Sequence, residues 1–345
     1  MDGQGRGESP RTPPAAAGRA PRRGVARVNL ALQGGGAHGA FTWGVLDRLL
    51  EDESVEIAGI SGTSAGALNG AALKAGLVAD GRGGDRQAAK DNLDWLWQRV
   101  AGIGDMRLVA WLAPFAPPTG FLSDAVEKTP AFAVADMATR VISPYAWGPL
   151  YRNPLAPIVE RFEYDKVCAE TGPAFFVSAT NVRTGKIHVF EGHEISTESI
   201  LASACLPTLF QAVEVTDPET GAREAYWDGG YTGNPALFPL YAPELPDDIV
   251  VVNINPLERR EVPRTAQDIQ NRINEISFNS SLLRELRAIA FVKRLIAEGR
   301  VERGTMADPR VHMIADDALM RDLSVATKVI PTPVLLSRLK AAGRA

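Results

Sequence analysis

Glu56-Ile57-Ala58-Gly59-Ile60-Ser61-Gly62-Thr63-Ser64-Ala65-Gly66-Ala67-Leu68-Asn69-Gly70-Ala71 passes from a short apolar strand into a run of small residues. The spacing predicts a strand over 56–60, a sharp turn over 61–66 and a helix over 67–75. Gly62-Thr63-Ser64-Ala65-Gly66 is G-x-S-x-G at that strand-to-helix junction, the setting of a nucleophile elbow. Glycines two before and two after Ser64 let strand and helix approach closely. The bend then presents the hydroxyl at a helix N-terminus, where the dipole and free amides favour developing negative charge.

Upstream, residues 27–33 (RVNLALQ) read as another short buried strand and Gly34–Gly39 as a glycine turn. Residues 40–52 follow as a helix with Phe41, Val45, Leu46 and Leu49 at helical spacing. Strand, loop, helix, strand, loop, helix is the opening of a parallel α/β sheet. Residues 77–165 read as mostly helical and loop-rich. Strands are expected again at 174–179 and 186–191, then a helix near 198–204 and a hairpin turning at 217–221. Residues 249–255 (IVVVNIN) read as the clearest fully buried strand. A long helix over 266–297 and a strand over 310–315 complete the pattern.

Composition limits what this scaffold can be. The chain has 345 residues, 45% hydrophobic and 23% charged, which excludes global disorder and fibrous repeats. Two cysteines, Cys168 and Cys205, cannot build a disulfide framework. A net charge of −4 argues against nucleic acid as a partner. Residues 1–25 are rich in Arg, Pro and Gly without a packing face, so they read as a disordered tail. That tail lacks the apolar core of a secretory signal. The charge-free stretch 28–46 is interrupted by glycines and by Asn29, Gln33, His38 and Thr42. Residues 108–123 are short of the ~20 needed to span a bilayer, and prolines break them. The expectation is a cytoplasmic protein with no transmembrane helix, at most peripheral on a membrane.

The turn Gly34-Gly35-Gly36-Ala37-His38-Gly39 also matches G-x-G-x-x-G, the geometry that places a pyrophosphate on a helix N-terminus. A dinucleotide site would want an acid at the end of the second strand, and Ile60-Ser61-Gly62 offers none. Ser64 needs a base. The histidines are His38, His188, His193 and His312. Only His312 would complete the Ser-Asp-His order of an α/β-hydrolase, although its place within the strand 310–315 reads as a core histidine. Asp228, followed by Gly229 and Gly230, is the carboxylate candidate. Two readings besides a Ser–Asp pair stay open: an esterase using His312, and a catalytically idle nucleotide- or lipid-binding module.

Taken together, the turn Gly34–Gly39, the elbow Gly62–Gly66, Ser203-Ala204-Cys205-Leu206-Pro207 and Asp228-Gly229-Gly230 resemble, in order and spacing, the patatin-like phospholipase family. The resemblance runs from about residue 28 to 240. It implies a three-layer α/β/α sandwich with a mostly parallel central sheet. It further implies a serine acyl hydrolase with Ser64 as nucleophile, Asp228 as its base and no catalytic histidine. The amides of Gly34, Gly35, Gly36 and Ala37 would form the oxyanion hole, supported by Gly39, Gly62, Gly66, Gly229 and Gly230. The implied substrate is a lipid acyl ester (phospholipase A, lysophospholipase or acylglycerol esterase type), met through transient contact with a membrane surface. Where the family usually carries Arg or Lys, this chain has His38. No cofactor or metal is expected, since HExxH, clustered Cys/His and EF-hand patterns are absent from the sequence.

In domain terms the reading is a tail over 1–25 and an acyl-hydrolase domain over 28–242 with a helical cap at about 77–165. Residues 243–345 then complete the sheet and add the long helix. Residues 108–123 are the candidate acyl-pocket wall or lid, with ordinary packing of the cap as the equal alternative. The helix 266–297, with Arg272, Arg284, Arg287, Lys293 and Arg294, reads as a solvated face over a core stripe, with membrane docking as the alternative.

Overall fold

The computed structural model describes residues 24–81, 84–106, 143–216, 221–264, 266–323 and 326–345. Most of the expected tail, the segment 108–123 and most of the hairpin turn at 217–221 lie outside them. Among the described residues eight strands form one sheet. They are β1 (Ala26–Leu32), β2 (Val55–Gly62), β3 (Ala174–Asn181), β4 (Ile187–Glu191), β5 (Val213–Thr216), β6 (Arg223–Asp228), β7 (Asp248–Asn253) and β8 (Arg310–Ala315). Their order is β5-β6-β3-β2-β1-β7-β8, with β4 also paired to β3. The pairs β1–β2, β1–β7, β2–β3 and β7–β8 are parallel. The pairs β3–β4, β3–β6 and β5–β6 are antiparallel.

Alternation along the strands separates two cores. Leu30, Leu32, Ile60, Phe175 and Val177 face one way. There they meet α1 (Gly39–Leu49), α2 (Ala65–Leu77) and α3 (Arg86–Met106), with Phe41, Leu73 and Leu93 in the same core. Ala31, Phe176, Ile249 and Val251 face the other way, onto Leu282 and Ile289 of the long helix Ala266–Ala297. Helices on both faces of a mostly parallel sheet make the expected three layers.

The strand order reverses at β1, which has β2 on one side and β7 on the other. In open α/β sheets that switch point opens a crevice beyond the strand C-termini. The glycine turn follows β1 and Ser64 follows β2, so both stand at this crevice. The C-terminal helix Pro333–Arg344 lies along α1. Arg344 pairs with Asp47 and, at 2.7 Å, with Glu51, while Lys340 reaches Asp94 at 2.8 Å. That anchorage brings the preceding turn, Ala326–Val329, against the glycine turn.

Three expectations need correction. The second strand does not stop at Ile60 but continues to Gly62, because the Ser61 hydroxyl donates to Ala236 O (2.6 Å) and so is satisfied inside the sheet. His312 is not a core histidine. Among the described residues strand β8 is the sheet edge, and its His312 is 55% exposed and bound to Asp248 Oδ1 at 2.9 Å. The long helix has the predicted bounds and buries Phe278, Leu282, Ile289 and Ile296, but its outer face is not simply polar. Ile269, Ile273, Ile276, Leu283 and Phe291 are exposed there beside Arg284 and Arg287.

Candidate active site

Ser64 caps α2, with φ 55° and ψ −120°. No other non-glycine residue among those described has positive φ, and such a conformation costs on the order of 1–3 kcal/mol and persists only where its surroundings enforce it. Here they do. The Ser64 N–H donates to Ser203 Oγ (2.9 Å), which itself donates to Ser178 O (2.7 Å) on β3. Thr63 N–H donates to Leu32 O (3.2 Å) and Thr63 Oγ1 to Gly233 O (2.7 Å). A Cβ at Gly66 would run into the Leu32 carbonyl, so only glycine lets α2 leave so close to β1. Ser64 itself is 7% exposed.

Asp228 ends β6 and is 1% exposed. Gly230 N–H donates to its Oδ1 at 2.7 Å, and its own N–H donates to Cys205 O at 2.8 Å. Tyr231 and Phe278 meet edge to face, 5.3 Å apart, beside the Asp228-Gly229-Gly230 turn. Burial pushes the carboxyl up to about 7, opposed by the Gly230 amide and by the Ser64 hydroxyl. Oδ2 of Asp228 has no hydrogen-bond partner among the described residues, the Ser64 hydroxyl included. Catalytic hydrogen bonds often tighten only around substrate.

The segment Ser203-Ala204-Cys205 thus has two structural tasks. Ser203 holds the backbone of Ser64, and the Cys205 carbonyl holds the backbone of Asp228. Two residues 164 positions apart in sequence are set against one another by three that lie between them.

The glycine turn closes the third side. Gly34 passes so near the elbow that a Cβ on it would sit 2.7 Å from Ser64 Cβ. Its N–H, however, already donates to Asn234 Oδ1 at 2.6 Å. Of the four expected oxyanion donors, Gly34 is therefore occupied. The amides of Gly35, Gly36 and Ala37 precede the first helical bond, from His38 N–H to Gly35 O at 3.3 Å, and have no intrahelical acceptor. Gly39 begins α1 and Gly62 ends β2, while Gly229 and Gly230 form the turn after Asp228.

The histidines do not gather here. His312 stands on the far edge strand, four strands from β2 in the chain of pairings through β1 and β7 counted inclusively. His188 packs on Phe190 (4.4 Å) and Tyr226 (5.4 Å), and His193 is exposed. His38 is buried behind the turn, bound through Nε2 to Thr327 Oγ1 at 2.7 Å. Burial, then Lys328 and Arg259, hold its pKa well below the usual histidine value.

Sequence reasoning missed the polar residues that brace the turn: Gln33, Asn234, Asn255 and Asn279. Gln33 Oε1 accepts from the N–H groups of Ile254 (2.8 Å) and Asn255 (2.9 Å), and its Nε2 donates to Asn279 Oδ1 (2.9 Å). The only local signal was polarity at strand ends, in Leu32-Gln33-Gly34 and Asn253-Ile254-Asn255. Among the described residues no cluster of His, Cys, Asp and Glu is arranged to hold a metal, and no helix is long and apolar enough to cross a membrane.

Among solved structures, VipD from Legionella pneumophila is 16% identical, with 92% of this chain and 65% of that chain covered at a TM-score of 0.38. The ExoU–SpcU complex of the type III secretion system of Pseudomonas aeruginosa is 17% identical, with 93% and 60% covered at a TM-score of 0.28. The chain thus spans less than two thirds of each of those chains. No curated protein sequence matches it. The model of the patatin-like phospholipase family matches residues 30–241, which include the glycine turn, the elbow and Asp228, and the chain belongs to that family.

Proposed function

We propose that the protein hydrolyses carboxylic esters of lipids with Ser64 as nucleophile and Asp228 as general base. The observation that carries this reading is a strained serine at a helix N-terminus beside a buried carboxylate whose pKa is raised to about 7. Asp228 takes the hydroxyl proton as Ser64 Oγ attacks the ester carbonyl. The amides of Gly35, Gly36 and Ala37 receive the oxyanion. Collapse of the tetrahedral intermediate expels the alcohol or lysolipid, which takes the proton from Asp228. Water activated by the same carboxylate then cleaves the acyl-enzyme and restores Ser64.

A lipid substrate also implies contact with a lipid surface. The outer face of the helix Ala266–Ala297 exposes three isoleucines, Leu283 and Phe291 along with Arg284 and Arg287, the apolar and cationic composition that such contact requires.

The test is turnover of p-nitrophenyl esters together with fluorophosphonate labelling. Labelling of Ser64 with turnover supports the proposal, and a protein that does neither is the idle binding module. Two further results are expected. Since Asp228 must be ionised to accept a proton, kcat/KM should rise with pH through about 7, well above an ordinary carboxylate. Cys205 and Tyr231, the other titratable groups beside it, are themselves pushed up to about 12 by burial, and so stay neutral across that limb. His312→Ala should keep activity within about twofold, because the ring is an exposed partner of Asp248 and such surface pairs contribute little. A large loss in His312→Ala with its fold intact would revive the triad reading.

A further inference from the structure

The turn Ala326–Val329, outside the family-matched residues 30–241, places a cation behind the glycine turn. Lys328 Nζ donates to Asn255 Oδ1 at 2.9 Å. Asn255 Nδ2 donates to Gly34 O at 2.7 Å, the shorter of two bonds to that oxygen (Asn234 Nδ2 donates at 3.3 Å), and to Gln33 Oε1 at 3.1 Å. An ammonium group can only donate, so the oxygen end of the Asn255 amide must face Lys328 and its NH2 end must face Gly34. The Gly34 carbonyl and the Gly35 N–H belong to one planar trans peptide, in which they point in opposite directions. Holding the carbonyl therefore fixes the direction of the Gly35 N–H. The backbone completes the clamp: the Lys328 carbonyl lies so close over Gly36 that a Cβ there would collide with it, and the neighbouring Thr327 holds His38.

We propose that Lys328 is a positioning residue for ester hydrolysis, locking the Asn255 amide and through it the Gly34–Gly35 peptide in the orientation that receives an oxyanion. This inference rests on the acyl-hydrolase reading above. It gives the turn a fixed cation although position 38 holds a neutral imidazole.

The charged and titratable groups around Lys328 are Glu275 of the long helix, Arg259 after β7 and His38 of the turn. Glu275 is itself paired with Arg259 (2.6 Å) and Arg272 (3.2 Å). Burial lowers the ammonium pKa to about 8, with Glu275 opposing that shift and Arg259 adding to it. The cation is thus present below about pH 8 and lost above it.

The experiment measures kcat and KM for a soluble short-chain ester across a pH series, in wild type, Lys328→Arg, Lys328→Met, Asn255→Leu and the double variant Asn255→Leu/Lys328→Met. Lys328→Met should lower kcat about 10- to 100-fold with little change in KM, less than the roughly 10²–10³-fold for outright loss of an oxyanion donor. Lys328→Arg should keep most of the activity and move the basic limb upward, because a guanidinium stays charged. The double variant should be no worse than Asn255→Leu alone, as expected of residues acting in series. A kcat within about twofold of wild type in folded Lys328→Met, or additive losses in the double variant, would overturn the proposal. If Lys328→Met does not fold, a basic limb left at its wild-type position in Lys328→Arg overturns it equally. A wild type that neither turns over esters nor labels at Ser64 overturns the acyl-hydrolase reading and this inference with it. An active wild type with unresponsive Lys328 variants overturns this inference alone.

Discussion

Ser64→Ala is expected to remain folded while ester hydrolysis falls by roughly 10³–10⁶-fold and fluorophosphonate labelling disappears. The size follows from chemistry: without Oγ no acyl-enzyme can form, and only the amides of the glycine turn and substrate binding remain. The fold should tolerate the change. The contacts that enforce the bend at Ser64 are made by its backbone N–H with Ser203 and by Thr63, not by the hydroxyl. Circular dichroism and the melting temperature should therefore track wild type. Persistent labelling of a different serine, with turnover intact, would sink the elbow assignment.

Asp228→Asn should match that loss in activity, because in the proposed mechanism nucleophile and base act as one unit and removing either disables both. Its effect on stability should run the opposite way at neutral and higher pH. A carboxyl raised to about 7 holds its proton in the folded state across the interval from the ordinary carboxylate range to about 7, where the unfolded chain has already released it. Stability contributed by the protonated form is therefore lost as pH rises through that interval. Asparagine never ionises, and its Oδ1 can still accept from Gly230 N–H. Asp228→Asn should accordingly melt higher than wild type above pH ~7, with the difference shrinking in acid. An active Asp228→Asn would remove the base assignment. An inactive variant that melts lower at every pH would point to structural damage.

The site and its scaffold were legible to different degrees. G-x-S-x-G between an apolar strand and a small-residue helix is a local pattern, because the elbow is formed by contacts within a few residues and by glycines adjacent in sequence. The same holds for the long helix Ala266–Ala297 and the strand Arg310–Ala315, whose bounds follow from periodicity and turn residues. The location of β8 in the sheet did not. An edge strand and a buried strand can share the pattern Arg-Val-His-Met-Ile-Ala, and only the tertiary structure shows β8 paired with β7 alone among the described residues, with His312 exposed.

Sequence by itself determined that this chain builds a mostly parallel α/β sheet and presents Ser64 on a sharp bend, since both depend on steric limits and hydrophobic spacing local to each segment. Tertiary structure alone decided which amide of the glycine turn is occupied. The Gly34 amide is taken by Asn234, 200 residues away, and the Gly34 carbonyl accepts from Asn255 and Asn234, Asn255 being bound in turn by Lys328. Buried donors and acceptors must find partners wherever the fold brings them, and a linear pattern does not encode which distant side chain will arrive.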